Sequence, residues 1–245
     1  MNSRPFVTAN FAITADGRIS TRRRTPSDFS SPADKRRLLE IRAACDAVLV
    51  GARTLANDTM TLGLPAADLR AARKKRGLPE FPLRVIASNS GRLSPEARAF
   101  TSGLPPAVVF STRRMSTRTC TALAGVCDLF IHLADSVNLA AMLATLREEF
   151  RIKRLVCEGG GTLLRSLLAL DLVDELHLTI CPRIFGSAKA PTLTGIAGDW
   201  LPHSVQLRLA EMLPPGDECF TRWRVVRKPV LLKRGNAERP RTISE

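Results

Sequence analysis

The stretch LVCEGGGTLL, residues 155–164, sets three consecutive glycines between an apolar run of strand character and one of helical character. Glycine lets other atoms approach the main chain closely, and a helix N-terminus offers N–H donors with partial positive charge. Phosphate is the ligand to which such a turn is suited. The alternative is a tight turn that needs positive φ, and the triplet alone does not separate the two. Either way it reads as strand, turn and helix, and the rest of the chain repeats that order.

Upstream, RPFVTANFAI (4–13), DAVLVG (46–51), LRVIAS (83–88), AVVFS (107–111), DLFIH (128–132) and RLVCE (154–158) are short apolar strands. Helical patterns lie between them. SSPADKRRLLEIRAAC offers Ser31 as a cap and Pro32 at the first helical position, and MSTRTCTALAG and LAAMLATLREEF follow later. Downstream, the segments DELHLTICP, SVQLRLAEML and ECFTRWRVVRK have strand character and no helix between them. The fold class expected is therefore α/β, a mostly parallel central sheet flanked by helices, with antiparallel C-terminal strands. Residues 1–231 read as one domain, and the polar stretch 232–245 as a disordered tail.

Composition narrows the function. At 44% hydrophobic and 24% charged, the chain has ordinary globular composition, with no run approaching the roughly 18 apolar residues of a membrane helix. The N-terminal residues lack the pattern of a signal peptide, so a cytoplasmic location is expected. Six scattered cysteines without a C-x-x-C pair read as reduced core residues, and three distant histidines give no metal-ligand spacing, so no metal is expected. The net charge of +14 raises nucleic acid as a partner. The basic residues, however, cluster in loop-like places such as Arg22–Arg24, Arg70–Arg76 and Arg113–Arg114, with no RNP-type motif or zinc-finger spacing. An anionic small substrate accounts for the charge equally well.

Ligands of open α/β sheets bind beyond the carboxyl ends of strands, which selects three loops: ITADGR (13–18), VGARTLANDTMTLG (50–63) and CEGGGT (157–162). In the last, Gly160, Gly161 and Thr162 suit an anion. Glu158 reads either as an acceptor facing a polar substrate edge or as a salt-bridged strand-end glutamate. Thr54 and Asp58 offer a hydroxyl and a carboxylate, yet turn roles fit them too. Ser27 and Arg42 are candidates for a second anion, although an arginine at a helix's inner end can also snorkel without function.

Taken in order, RPFVTANFAITADGRIS, SPADKRRLLEIRAACDAVLVGARTLANDTMTL, LRVIASNSGRLSP, LVCEGGGTLLRSLLALDLVDELHLTICPRIFG and APTL resemble the pyrimidine-reductase family of riboflavin biosynthesis. The resemblance implies a dihydrofolate-reductase-like fold, NADPH as hydride donor and a phosphoribosylamino-pyrimidine substrate whose ribosyl group becomes ribityl. By motif it implies Ala12, Phe29, Thr54, Asp58, Ser88 and the turn Gly160, Gly161, Thr162 and Leu163 for the cofactor. Ser27, Arg42, Leu62 and Glu158 would line the substrate site. Asp58 and Glu158 are the matched acids and the candidate catalytic residues, with no acid–base role assigned to either. The family also implies a homodimer. Ser88, Ser90 and Arg92 would take the cofactor's 2′-phosphate, or form a polar turn.

The chain departs from the family in two places. It reads Asp58-Thr59-Met60 where the family usually carries Asp-Asp-Pro or Asp-Asn-Pro, and Gly63-Leu64-Pro65 where bacterial members carry a phosphate-facing arginine. The basic stretch Arg70–Arg76 is the suggested substitute for that arginine, with Arg73 and Lys74 as the positions that test it. Asn10 matches the stand-alone archaeal type. No H-x-E or P-C-x-x-C is present, so deamination is not expected. Two rival readings stay open: a reductase of another heterocycle of dihydrofolate or pterin type, and a nucleic-acid-binding protein on an inactive reductase scaffold.

Overall fold

The computed structural model describes residues 3–21, 29–57, 60–187, 189–195 and 201–230. The strands are β1 (Phe6–Thr14), β2 (Ala47–Gly51), β3 (Leu83–Ser88), β4 (Ala107–Thr112), β5 (Cys127–His132), β6 (Arg154–Cys157), β7 (Glu175–Cys181), β8 (Ser204–Leu213) and β9 (Cys219–Val230). The helices are α1 (Pro32–Ala44), α2 (Ala52–Asn57), α3 (Ala67–Lys75), α4 (Arg98–Thr101), α5 (Thr117–Ala124), α6 (Leu139–Glu148) and α7 (Gly161–Ala169). The tail 232–245, with Ser27 and Asp58, lies outside the described residues.

One nine-stranded sheet runs in the order β5-β4-β3-β2-β6-β1-β7-β9-β8. The first seven strands in that order are parallel, and only β9 and β8 are antiparallel. This is the mostly parallel α/β sheet with antiparallel C-terminal strands that the sequence led one to expect. One detail differs from the expectation: β7 belongs to the parallel body, paired with β1 from Thr8↔Glu175 to Thr14↔Cys181. The antiparallel appendage is a two-strand unit, not three strands.

Parallel strands are covered on both faces, so their side chains are buried in both directions. In β2, Ala47 and Leu49 enter the core beneath α6 and α7, whereas Val48 and Val50 enter the opposite core, which holds Leu55 of α2 and Leu123 of α5. Helix α1 begins as its sequence dictates. Ser31 Oγ accepts from the Asp34 amide at 3.2 Å, and Pro32 takes the first turn, where its missing N–H costs nothing.

Two segments expected as loops are helical. Residues 52–57 form α2 directly after β2, and the basic run Arg70–Arg76 lies mostly on α3. Lys74, Lys75 and Arg76 of that run are exposed, but Arg73 is 0% exposed and belongs to no cationic surface. Its guanidinium donates to the carbonyls of Pro79, Ala43 and Cys45 and ties α3 to the end of α1. Arg73 therefore does not replace a phosphate-facing arginine. An Arg73→Met variant is expected to lose about 2–3 kcal/mol, since buried carbonyls lose their donor. Thermal unfolding is then expected to drop by roughly 5–10 °C, with the Michaelis constants for anionic ligands unmoved.

Candidate active site

The strand order contains a topological switch. From β2 the chain leaves toward β3, and from its neighbour β6 it leaves in the opposite direction, over β1 to β7. Such a divergence opens a crevice at the carboxyl ends of the strands. Two main-chain bonds pin its floor: the Gly51 amide donates to the Gly159 carbonyl at 2.8 Å, and the Glu158 amide to the Leu49 carbonyl at 3.0 Å. Over this edge lies a cleft of about 920 Å³. That volume is at the upper end of the range for small-molecule sites.

Ala12, Arg42, Thr54, Ser88, Glu158, Gly160, Gly161, Thr162 and Leu163 all line this one cleft. Four strand ends distant in sequence thus converge on a single space. Leu62 is not among the lining residues. It is 0% exposed, sits in the core that holds Val48 and Val50, and has a left-handed backbone (φ 57°). Phe29 is not among them either, and packs edge-on against Phe185 with ring centroids 5.3 Å apart.

The two faces of the cleft differ in chemistry. One is glycine and hydroxyl. Gly160, the N-cap of α7, brings no side chain to the helix terminus; Thr54 stands beside it, Thr162 lies in the first turn of α7, and Ser88 lines the same cleft from the end of β3. Bare backbone is required here for internal reasons as well. A Cβ at Gly161 would lie 2.5 Å from the Gly195 nitrogen and 2.8 Å from the Thr192 carbonyl oxygen, and one at Gly160 would lie 2.9 Å from Thr54 Oγ1. The glycines therefore admit a loop of the chain itself, alongside whatever ligand the helix terminus meets. Ser88 Oγ accepts from the Gly91 amide at 3.1 Å, which shapes the turn carrying Asn89 and Ser90 into the cleft.

The other face is charged. Arg42 and Glu158 form a two-pronged pair, Nε to Oε1 at 2.7 Å and Nη2 to Oε2 at 2.6 Å, with side chains 9% and 4% exposed. Of the two readings open for Glu158, the salt bridge is the one observed. With both oxygens receiving guanidinium N–H groups, the carboxylate is held as an acceptor. The third arm of Arg42 donates to the Gly63 carbonyl at 2.7 Å. Arg84 donates to the Thr61 carbonyl at 3.2 Å, and Arg70 to those of Leu64 and Pro65 at 2.9 and 2.7 Å. The loop around Leu62 is thus braced from outside by three guanidinium groups.

Asn10 was noted in the sequence only for its type, and its position explains more. On β1 it is in register with His177 of β7, and its neighbour Ala9 pairs with Cys157 just before Glu158. It lines the cleft beside that carboxylate. Cys157 itself is no nucleophile: burial pushes its thiol up to about 12. The loop ITADGR plays a supporting part. The Thr14 hydroxyl and the Gly186 and Phe185 amides hold the Asp16 carboxyl down at about 2, tying the loop to the chain that follows β7. Asp34, Lys35 and Leu38 of α1 and Val137 and Leu139 near α6 also line the cleft. Sequence reading did not select them, although the i, i+3, i+7 spacing of Lys35, Leu38 and Arg42 marks one helix face.

A mostly parallel sheet with a switch-point cleft, divided between a glycine–hydroxyl face and a charged face, is the arrangement of a ligand-binding α/β protein. A pyrimidine reductase-like protein from Corynebacterium diphtheriae superposes with a TM-score of 0.81 at 22% identity, over 91% of this chain and 93% of that one. Acinetobacter baumannii RibD follows at 0.74 and 19%, over 92% of this chain and 59% of that one. The model of the RibD C-terminal domain matches residues 5–218, and the chain belongs to that family. It is 33% identical over 190 residues to the 2,5-diamino-6-ribosylamino-4(3H)-pyrimidinone 5′-phosphate reductase of Archaeoglobus fulgidus, covering 78% of this chain and 86% of that one. It is 30% identical over 223 residues to the enzyme of the same name from Methanothermobacter thermautotrophicus, covering 91% and 99%.

Proposed function

We propose that this protein is an NADPH-dependent reductase of riboflavin biosynthesis that converts the ribosyl group of a phosphoribosylamino-pyrimidine to ribityl. The observation that carries the reading is the convergence of Thr54, Ser88, Gly160–Leu163, Arg42 and Glu158 on one switch-point cleft. The 2,5-diamino substrate named for the two archaeal relatives is the preferred one.

The residues present suit a dinucleotide. A side-chain-free helix terminus with the Thr54 and Thr162 hydroxyls beside it forms the turn where a pyrophosphate would rest. Thr54, Ser88, Gly160, Gly161, Thr162, Leu163 and Ala12 are assigned to the cofactor. Asp58 and Phe29 are assigned there by motif alone, as Ser27 and Leu62 are to the substrate. When bound, NADPH supplies a hydride. The ribosylamine opens by passing its N–H proton to the ring oxygen, so that C1′ becomes an imine carbon able to accept that hydride, and one proton restores the N–H. The chain's own work is placement. The Arg42–Glu158 pair and Asn10 hold the pyrimidine edge, and the α7 turn holds the dinucleotide against the carbon end of the sheet. Glu158, tied in both oxygens, serves as a fixed acceptor and not as the proton donor.

A homodimer formed through the C-terminal strands fits this reading, because β8 is an edge strand that exposes Leu209, Met212 and Leu213. A cytoplasmic location fits the six free cysteines. The direct test follows NADPH oxidation by absorbance, with the deaminated and undeaminated phosphoribosylamino-pyrimidines offered separately. Turnover of the diamino compound is expected. NADPH binding without reduction of either would remove the pyrimidine from the reading, and preference for a pterin would favour the rival heterocycle.

A further inference from the structure

We infer that His177 is a positioning residue: it fixes which end of the Asn10 side-chain amide faces the cleft, and so which group on the heterocycle is accepted there. The inference rests on the function proposed above. Polar residues cross the sheet in one row. Asn10 of β1 is in register with His177 of β7, His177 with Arg222 of β9, and Arg222 with Glu211 of β8. Such neighbours stand about 4.8 Å apart from strand to strand, with side chains on the same side of the sheet. Helix α1 closes this side: the Arg37 guanidinium lies 4.6 Å from the Phe220 ring centroid and donates to the Thr221 carbonyl at 3.4 Å. Of the four residues in the row, Asn10 lines the cleft, whereas His177, Arg222 and Glu211 do not.

The hydrogen bonds behind Asn10 have a direction. His177 Nε2 lies 2.7 Å from Glu175 Oε1. Arg222 donates from Nη1 to Glu175 Oε2 at 3.3 Å and from Nε to Glu211 Oε2 at 3.2 Å. The bond from His177, and then Arg222, hold the Glu175 carboxyl below the usual carboxylate range. A carboxylate only accepts, so Nε2 carries the hydrogen and, in the neutral ring, Nδ1 is a bare acceptor. That Nδ1 is buried and has no partner among the described residues. The Asn10 amide likewise makes no side-chain hydrogen bond among the described residues. The terminal torsion of an asparagine is soft, so the amide turns either end toward a neighbour at little cost. A buried acceptor beside it selects the NH2 end and leaves the carbonyl oxygen for the ligand. That oxygen matches the exocyclic amino group of the undeaminated pyrimidine. It opposes the carbonyl that replaces this amino group in the deaminated compound.

The quantity to measure is preference, the ratio of kcat/KM for the undeaminated over the deaminated compound. It is determined for the wild-type protein, His177→Phe, His177→Gln, Asn10→Ala and the double variant His177→Phe/Asn10→Ala. One orienting hydrogen bond corresponds to about 3- to 10-fold. His177→Phe, which keeps a ring and loses both nitrogens, is expected to lower the preference by that factor. In His177→Gln one amide donates to Glu175 and accepts from Asn10, so most of the preference should survive. With Asn10 already replaced by alanine, His177→Phe should change the preference no further, because it acts through the amide that is gone. Nitrogen NMR of the wild-type protein, with the undeaminated pyrimidine bound and NADPH absent, should show the His177 ring protonated at Nε2 and bare at Nδ1. A wild-type protein without preference, a His177→Phe protein with the wild-type preference, the same loss in the Asn10→Ala background, or a protonated Nδ1 would each overturn the assignment while leaving the reductase reading intact. If the wild-type protein reduces neither pyrimidine, the reading itself falls and takes the assignment with it. NADPH affinity, measured in parallel, should be the same for the wild-type protein and both His177 variants.

Discussion

Replacing Arg42 with methionine is expected to cost about 3–5 kcal/mol of stability and to abolish reductase activity. The Arg42 side chain is only 9% exposed, and its guanidinium neutralises a carboxylate on a side chain still more deeply buried. Removing it leaves the buried Glu158 carboxyl without its partner and removes the donor that holds the Gly63 carbonyl. Denaturant unfolding reads the first effect and NADPH oxidation the second. The double variant Arg42→Met/Glu158→Met separates them. Two apolar side chains of similar size refill the site without an uncompensated charge, so stability should return to within about 1–2 kcal/mol of the starting protein. Activity should not return. A double variant that is both stable and active would reduce the pair to packing.

The second large effect is expected at Gly161. An alanine there pushes its Cβ to 2.5 Å from the Gly195 nitrogen and 2.9 Å from its Cα. Those are backbone atoms, so relief requires moving either the start of α7 or the 192–195 loop. We expect a loss of about 1–3 kcal/mol, the usual range for overpacking. NADPH affinity should fall at least tenfold, because the displaced turn is the one assigned to its phosphates. Gly160→Ala provides the contrast. Its Cβ meets only Thr54 Oγ1, the end of a side chain, so stability should suffer less, and a Thr54→Ala partner should relieve it. Fluorescence titration of NADPH alongside thermal unfolding distinguishes the two positions. A Gly161→Ala variant that binds NADPH normally would show that the glycines serve the 192–195 loop and not the cofactor.

Much of this architecture was legible in the sequence. Strands such as DAVLVG and LRVIAS are continuous apolar runs because they are buried on both faces, and Ser31-Pro32 announces α1 with a cap and a first-turn proline. The strand-ending loops 13–18, 50–63 and 157–162 pointed to one edge because parallel strands carry their C-terminal ends to the same side, whereas Ser88 was supplied by the family resemblance alone. Other features carried no local signal. That β7 runs with β1 depends on a crossover over the sheet, which no stretch of ten residues encodes. Helix α2 is only six residues long, and its residues serve equally well in a loop. The internal partner of Gly161 lies more than thirty positions away at Gly195, so a glycine that bares its backbone to protein looks the same as one that bares it to phosphate. Arg73 was misread for a related reason. A charged residue in a basic run resembles surface until the carbonyls it satisfies are known.

The guanidinium braces around Leu62 divide shape from composition in this part of the cleft. Arg42, Arg70 and Arg84 grip carbonyl oxygens at Gly63, Leu64, Pro65 and Thr61, and every amino acid has such an oxygen. The path of the loop is thus written largely at positions outside it, so that with Leu62 and Leu64 kept in the core an exposed position such as Pro65 is left open to exchange. A segment built this way can drift in sequence, even to the point of dropping a ligand-facing residue, while the chain continues to pass through the same points in space.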